Sequence, residues 1–132
     1  YLNGQSLQVS SVRSMEASFV VTELPYNSEQ YARTGEYLIR ELYGRVAGIR
    51  MNGSAAIALC YVAAGRFDAW LEAFLGKWDF SAAALIVQEA GGRVTDFYGN
   101  AGFIDGHHVV ATNGWLHPFL LELVQKAMPL GM

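Results

Sequence analysis

The chain has 132 residues, the length of one ordinary domain, and 52% of them are hydrophobic whereas 16% are charged. This composition excludes an intrinsically disordered protein, and a net charge of −3 with scattered basic residues argues against nucleic acid as a partner. The longest apolar run, Ala55–Ala64, has about half the length of a transmembrane helix, so no membrane partner is expected. The single cysteine, Cys60, excludes an internal disulfide and fits a reducing compartment, for which we expect the cytoplasm.

A tight turn is predicted near the first residue. Asn3-Gly4 is a strong signal for a two-residue β-hairpin, and the alternating segment Ser6–Ser10 supplies its second strand. Only Tyr1 and Leu2 stand before the turn. We therefore expect that the first strand belongs to a longer protein, which has been cut inside this hairpin.

The rest of the chain alternates between short strand-like and longer helix-like segments. After one helical turn at Ser11–Glu16, strands are predicted at Ala17–Leu24, Arg45–Met51, Phe67–Glu72, Arg93–Phe97 and His107–Thr112. Helices are predicted at Ser28–Leu42, Gly53–Ala64, Asp79–Ala90 and Gly114–Ala127. Asn113 can cap the last helix, and Gly91-Gly92 should end the third. This order predicts an α/β fold in which a mixed β-sheet is flanked by helices, as one domain over residues 1–132.

Two acidic residues occupy positions at which α/β sheets bind ligands. Glu72 would end a strand and Asp79 would begin a helix. Both also have a simpler interpretation. Glu72 could face solvent at a strand end, and the Asp79 carboxylate could cap its helix by accepting the N–H of Ser81 or Ala82.

The turn Gly53-Ser54-Ala55, which opens the second helix, also allows two interpretations. Ser54 can cap the helix, or the small side chains can let a ligand approach free backbone N–H groups. Arg50 lies just before this turn. It either braces the turn and offsets the charge of nearby carboxylates, or it is an ordinary surface arginine.

Two stretches carry a resemblance to a known family. These are G-S-A-A-I-A-L-C-Y-V-A-A-G-R-F-D-A-W-L-E, from Gly53, and W-D-F-S-A-A-A-L-I-V-Q-E-A-G-G, from Trp78. Together they resemble the C-terminal signature of the inositol monophosphatase family. The members of this family are magnesium-dependent, lithium-sensitive phosphatases of small phosphomonoesters. The similarity extends upstream to Leu2 and downstream to Leu120, so it covers nearly the whole chain. The family's other signature, Asp-Pro-x-Asp-Gly-Thr, is absent from these 132 residues.

The resemblance implies a fold, a cofactor and a set of site residues. The chain would be the C-terminal domain of an alternating-layer sugar-phosphatase fold, without the N-terminal metal-binding half. Asp79 would bind Mg²⁺, Glu72 would accept a hydrogen bond from a substrate hydroxyl, and backbone amides at Gly53, Ser54 and Ala55 would contact substrate. The intact protein would be a homodimer that acts on a small phosphorylated polyol such as myo-inositol monophosphate.

The resemblance leaves other functions open. No catalytic residue beyond the metal ligand is predicted within the chain, so we expect these residues alone to fold but not to catalyse. A related nucleotide 3′-phosphatase or fructose-1,6-bisphosphatase would have the same architecture. A non-catalytic interaction domain of the same fold is the alternative from a different class.

The remaining reactive side chains are predicted to be structural. Cys60 has no basic neighbour in the sequence and is expected to be a small core residue. Three tryptophans, Trp70, Trp78 and Trp115, are expected in the core and not in a cofactor site.

The histidines and two further acids are not predicted to form a site. His107 and His108 are adjacent, so in a strand they would point to opposite faces. His117 has no partner at helical spacing. Glu23 and Asp68 are single acids on predicted strands without a matching ligand partner.

Overall fold

The computed structural model describes residues 6–22, 29–51, 55–72, 81–100 and 108–127. Within these ranges the strands are β1 (Phe19–Thr22), β2 (Gly48–Arg50), β3 (Ala69–Glu72), β4 (Arg93–Thr95) and β5 (Val109–Thr112). The helices are α1 (Glu29–Leu42), α2 (Ala55–Ala63), α3 (Ser81–Glu89) and α4 (His117–Ala127), and a 3₁₀ turn spans Met15–Ala17. Each of these elements lies inside, or within one residue of, a segment predicted from the sequence.

The strands form one mixed sheet in the order β2-β1-β3-β5-β4. The three strands β2, β1 and β3 are parallel, with Val20 opposite Ile49 on one side and opposite Ala69 on the other. The strands β3, β5 and β4 are antiparallel neighbours, and Trp70 lies opposite Ala111. Parallel strands need helical crossovers, which α1 and α2 supply.

Helices cover both faces of the sheet, and each face has its own apolar cluster. The cluster under α2 and α3 includes Val21, Leu59, Trp70 and Val87, all of them fully buried. The cluster under α1 and α4 includes Leu38, Leu71 and Leu120 together with other residues of both helices. Trp70 and Leu71 are neighbours on β3, so the two clusters follow the alternation of side chains along a strand. The predicted mixed sheet flanked by helices is confirmed.

The end of α3 follows the predicted glycine signal. Gly91 has a φ of +95°, and its N–H donates to the carbonyl of Gln88, 3.1 Å away. The N–H of Gly92 donates to the carbonyl of Val87, 2.9 Å away. These two bonds form a Schellman motif, which uses the left-handed conformation that glycine adopts without steric cost.

Two predicted elements differ from the structure. The strand expected at Ser6–Ser10 is not formed, and within this segment the Val9 N–H donates to the carbonyl of Ala90, just after α3, at 3.1 Å. Its alternation has another cause, since Leu7 and Val9 pack against the cluster under α2 and α3. The last helix begins at His117 and not at Gly114, because Gly114 has a φ of +94° and cannot lie in a helix. The predicted turn at Asn3-Gly4 lies outside the described residues.

Two expected core residues are exposed. Cys60 lies on the outer side of α2, so its assignment to the core is wrong. Trp115 is 50% exposed, with the guanidinium of Arg13 4.0 Å from its ring centroid, and is also not a core residue. Trp70 is fully buried, as expected, whereas Trp78 lies outside the described residues. No helix in the described part of the chain is long and apolar enough to cross a membrane.

Candidate active site

The carboxyl ends of the three parallel strands meet at one end of the sheet, which we call the site end. Thr22, Arg50 and Glu72 are the last residues of β1, β2 and β3. Val109, the first residue of β5, lies directly opposite Glu72. Ligands of α/β sheets bind outside the carboxyl ends of parallel strands. The structure therefore places Glu72 at the strand end predicted from the sequence.

Glu72 lies on the sheet face that α2 and α3 cover. Side chains alternate along a strand, so Glu72 shares its face with Trp70, which belongs to the cluster under these helices. Its side chain is partly exposed, unlike Leu71 before it. A carboxylate has only acceptor oxygens, so it suits a ligand that presents hydroxyl groups.

Two helices begin near the site end. The chain leaves β2 at Arg50 and enters α2 at Ala55, and it leaves β3 at Glu72 and enters α3 at Ser81. The first turn of an α-helix has backbone N–H groups without intrahelical acceptors, and these groups favour anions. Ala55 is the first residue of α2, and the contact of its amide with a substrate stays a prediction.

Three of the proposed site residues cannot be placed. Gly53 and Ser54 precede α2, and Asp79 precedes the first residue of α3 by two positions, but all three lie outside the described residues. Their assignment as substrate-binding and metal-binding groups stays a prediction.

Arg50 makes local contacts at the site end. Its Nη1 donates to the carbonyl of Ile49 at 3.1 Å, and its guanidinium lies 5.2 Å from the centroid of the Phe19 ring. Both contacts are on the surface, and each is of a kind that contributes little to stability. The structure favours the surface interpretation of Arg50, although the turn that it was predicted to brace lies outside the described residues.

The opposite end of the sheet, which we call the closed end, contains an acid that the sequence left without a role. Asp68 precedes β3 and is 5% exposed. One of its oxygens accepts a hydrogen bond from the Ser10 hydroxyl, and the other accepts the backbone N–H of Phe19 at 2.7 Å. The amide of Asn113 donates to the Ser10 oxygen at 3.0 Å and to the carbonyl of Val12 at 2.6 Å. Asp68 thus ties the segment before β1 to the sheet.

Asn113, predicted to cap the last helix, lies four positions before its first residue and does not cap it directly, because α4 begins at His117. Its side-chain oxygen accepts the N–H of Leu116 at 3.2 Å, just before α4 begins. The same residue therefore joins the start of α4 to the Asp68 cluster. Apart from Leu116, the hydrogen-bond partners of Asp68 and Asn113 are far away in the sequence. The spacing of residues in the sequence could therefore not have identified this cluster.

His117 has a second buried polar cluster, on β4 and β5. The ring is fully buried, with Nε2 2.8 Å from the Thr95 hydroxyl and Nδ1 2.8 Å from the Thr112 hydroxyl. The Thr95 hydroxyl donates its only proton to the carbonyl of Asp96, so it accepts from the His117 Nε2–H. The Thr112 hydroxyl then donates to Nδ1 of the neutral ring. The sequence analysis considered only partners at helical spacing for His117, and both of its hydrogen-bond partners lie at other spacings.

The environment of His117 disfavours the charged ring. Burial and, to a smaller extent, the nearby positive charge of Arg93 lower the pKa of His117 from 6.5 to about 4. The N-terminal end of α4, where His117 lies, also disfavours a positive charge. A neutral, doubly hydrogen-bonded histidine supports the packing of α4 on β4 and β5, on the sheet face opposite the one that Glu72 shares with Trp70.

The described residues do not contain a complete metal site. No group of three or more histidine, cysteine, aspartate or glutamate side chains within the described ranges could hold a metal ion. Mg²⁺ prefers several oxygen ligands, of which a carboxylate such as that of Glu72 or Asp79 supplies one or two. The carboxylate oxygens of this chain are chemically suited to Mg²⁺, but a complete site would need further oxygen ligands.

The comparison with known families identifies the chain. The sequence model of the inositol monophosphatase family matches residues 1–128. The chain belongs to the inositol monophosphatase family. The family membership confirms the resemblance that was based on the two stretches from Gly53 and Trp78.

Individual members of the inositol monophosphatase family agree with this result. A Nus factor SuhB of Pseudomonas aeruginosa is 44% identical over 130 residues, which are 97% of this chain and 48% of that protein. An inositol-1-monophosphatase of Rhizobium meliloti is 36% identical over 131 residues, which are 98% of this chain and 48% of that protein. The crystal structure of the extragenic suppressor protein suhB from Bartonella henselae has a TM-score of 0.89 and 34% identity, covering 96% of this chain and 49% of that one. The chain spans about half the length of the relatives it matches.

Proposed function

We propose that the chain is the C-terminal domain of a magnesium-dependent phosphatase that hydrolyses a small phosphomonoester such as myo-inositol monophosphate. The observation that carries the proposal is the position of Glu72. In a chain of the inositol monophosphatase family, it lies at the carboxyl end of a parallel strand, on the face where two helices begin. A phosphorylated polyol combines the two chemical features that suit this end of the sheet, hydroxyl groups for a carboxylate and an anion for helix N-termini.

Each predicted site residue has a distinct task in this proposal. Glu72 accepts a hydrogen bond from a substrate hydroxyl and so orients the alcohol side of the ester. The amides at Gly53, Ser54 and Ala55 bind the same side of the substrate. Asp79 holds Mg²⁺, which when bound supplies the Lewis acidity that phosphate-ester hydrolysis requires. The remaining metal-binding and water-activating groups belong to the half of the family fold that this chain does not span.

The test compares two proteins. One is the chain alone. The other, which we call the fusion, is a single polypeptide in which the half of the Rhizobium meliloti relative that this chain does not match is placed before the chain. We expect the fusion to release phosphate from myo-inositol 1-phosphate in millimolar Mg²⁺ and to be inhibited by lithium, and the chain alone to be inactive. Asp79→Asn in the fusion should weaken Mg²⁺ binding and turnover with unchanged circular dichroism, because asparagine can still cap the helix.

Two outcomes would count against this proposal. Robust, lithium-sensitive turnover by the chain alone would show that it contains the missing ligands. Unchanged turnover and magnesium dependence in Asp79→Asn would leave Asp79 as a helix cap. A panel that includes a nucleotide 3′-phosphate and fructose 1,6-bisphosphate separates the substrate alternatives.

A second candidate is a non-catalytic role, because the Pseudomonas aeruginosa relative at 44% identity is named a Nus factor. In this alternative the fold serves as an interaction domain. A folded fusion that neither binds Mg²⁺ at the site nor hydrolyses any ester of the panel would favour it over the phosphatase.

A further inference from the structure

The turn between β5 and α4 contains the pair Asn113-Gly114, and the fold has a use for each member. Gly114 has a φ of +94°, a left-handed conformation that residues with a side chain rarely adopt. The side-chain oxygen of Asn113 accepts the N–H of Leu116, and its side-chain amide donates to the Ser10 oxygen and to the carbonyl of Val12. The geometry of the turn therefore favours asparagine followed by glycine.

This pair is also chemically labile. Asparagine is a thermolabile residue, and it deamidates most readily before glycine, because glycine has no side chain that hinders attack by its own nitrogen. In the reaction the Gly114 nitrogen forms a bond to the side-chain carbonyl carbon of Asn113. The Asn113 side-chain nitrogen leaves as ammonia and takes the proton of the Gly114 N–H with it. Water then opens the cyclic imide to aspartate or isoaspartate, so water is the only reagent.

The folded chain holds both reacting groups in other contacts. The Gly114 N–H, whose nitrogen would attack, donates to the Thr112 hydroxyl at 2.9 Å. The Asn113 amide nitrogen, which would leave, lies 3.0 Å from the Ser10 oxygen and 2.6 Å from the Val12 carbonyl oxygen. Asn113 is 4% exposed, so water has little access to its side chain. Attack requires these bonds to break, which is a local opening of the turn.

We propose that Asn113 is a latent modification site, which deamidates to aspartate or isoaspartate when the turn before α4 opens. The bond from Gly114 to Thr112 and the bonds of the Asn113 side chain set the rate, because they keep the turn closed. The inference rests on the described hydrogen bonds and does not depend on the proposed phosphatase activity.

Deamidation reverses the hydrogen bonding of the closed end. The Ser10 hydroxyl donates its proton to Asp68, so toward residue 113 its oxygen can only accept. A carboxylate in place of the Asn113 amide faces this oxygen and the Val12 carbonyl with no proton to donate, and it adds a second negative charge near the buried Asp68. Isoaspartate also lengthens the backbone by one methylene. The product therefore holds the turn less firmly than the asparagine did.

The first experiment compares deamidation of Asn113 in the folded chain and in the chain unfolded by urea, by mass spectrometry of the peptide that contains it. The pairs Asn3-Gly4 and Asn52-Gly53 of the same unfolded sample give the reference rate. We expect Asn113 to react at the reference rate in urea and at least about a hundredfold more slowly in the folded chain. Equal rates in the two states, or no reaction in urea, would overturn the proposal.

Two matched variants separate the protecting bond from general stability. Thr112→Val removes the acceptor of the Gly114 N–H, and Thr95→Val leaves it in place. Both changes remove one hydroxyl partner of the buried His117. We expect Thr112→Val to raise the rate at Asn113 in the folded chain at least about tenfold, and Thr95→Val to raise it much less. An equal rise in both variants, or none in Thr112→Val, would contradict the proposed protection.

The variant Asn113→Asp tests the consequence of the modification. We expect its midpoint of urea denaturation to lie below that of the unsubstituted chain, because the carboxylate cannot donate to Ser10 and Val12. Folded protein in which deamidation of Asn113 has accumulated should show the same shift in proportion to the modified fraction. An unchanged midpoint in both samples would show that the closed end tolerates the carboxylate and would refute this consequence.

Discussion

The two ends of strand β3 have acids with opposite environments. Asp68, at the closed end, is 5% exposed and has hydrogen bonds from a hydroxyl and from a backbone N–H. Glu72, at the site end, is partly exposed beside the N-termini of two helices. The two acids are four positions apart, and in the sequence both are single acids next to apolar runs.

The difference leads us to expect separate contributions of the two ends to stability and to the proposed function. The buried polar groups of Asp68 and Asn113 at the closed end, and of His117 on β4 and β5, have hydrogen-bond partners within the chain. Such networks stabilise a fold because removing one member leaves the others buried and unpaired. At the site end, the last residues of β2 and β3, Arg50 and Glu72, are exposed and partly exposed. We expect substitutions at the two ends to affect different measurements.

The largest effect should come from Asp68→Ala. The change removes two hydrogen bonds to a buried carboxylate and leaves the Ser10 hydroxyl and the Phe19 N–H without this acceptor. We expect the free energy of unfolding to fall by about 3–4 kcal/mol, as measured by urea denaturation. Glu72→Ala is the matched control and should cost less than Asp68→Ala, because the Glu72 side chain is partly exposed. Equal losses for the two variants would remove the distinction between the ends.

The pH dependence of stability should show the effect of His117. An unfolded histidine takes up a proton near pH 6.5, whereas folded His117 takes one up only near pH 4. Between these values the unfolded state binds more protons, so stability falls as the pH is lowered through this window. The loss from this group should approach about 3 kcal/mol at pH 4, and stability should recover above pH 6.5.

The matched variant is His117→Gln, which keeps an amide donor and acceptor toward the two threonines but does not titrate. Urea denaturation of both proteins at intervals between pH 7 and pH 4 gives the comparison. We expect a flatter profile for the variant over the same window. Parallel profiles would show that other groups cause the acid sensitivity.

At the site end, Glu72→Gln should change substrate preference and not stability. Glutamine keeps the shape but replaces a charged acceptor, and a charge-assisted hydrogen bond contributes about 1.5–3 kcal/mol. We expect kcat/KM of the fusion to fall about tenfold to a hundredfold for the polyol phosphate, more than for esters without the matching hydroxyl. A uniform loss that follows Mg²⁺ affinity would instead make Glu72 part of the metal site.

The smallest effect should come from Arg50→Ala, which tests whether the site end tolerates change. Its described contacts are a bond to the neighbouring carbonyl of Ile49 and a position over the exposed ring of Phe19. We expect the free energy of unfolding to change by about 0.5 kcal/mol or less. A loss above about 1.5 kcal/mol in urea denaturation would show that Arg50 braces the turn before α2.

Local signals explain why most elements could be predicted. The alternation in β3, the apolar spacing in α1 and α4, and the glycine that ends α3 each depend on residues a few positions apart. Glu72 was placed correctly for the same reason, because it ends an alternating strand. The strand expected at Ser6–Ser10 fails because alternation alone does not distinguish pairing with a strand from packing against a helix.

The sequence by itself determined the family, the order of strands and helices, and the position of Glu72 at the end of a strand, because all three follow from short-range patterns and contiguous motifs. Only the tertiary structure decided the roles of Asp68 and His117, since Asp68 and Ser10 are 58 residues apart and His117 and Thr95 are 22 apart. The tertiary structure also decided that Cys60 is exposed. A helix that is apolar on all sides contains no sequence signal for which side packs on the sheet, and the three-dimensional arrangement of the layers settles that choice.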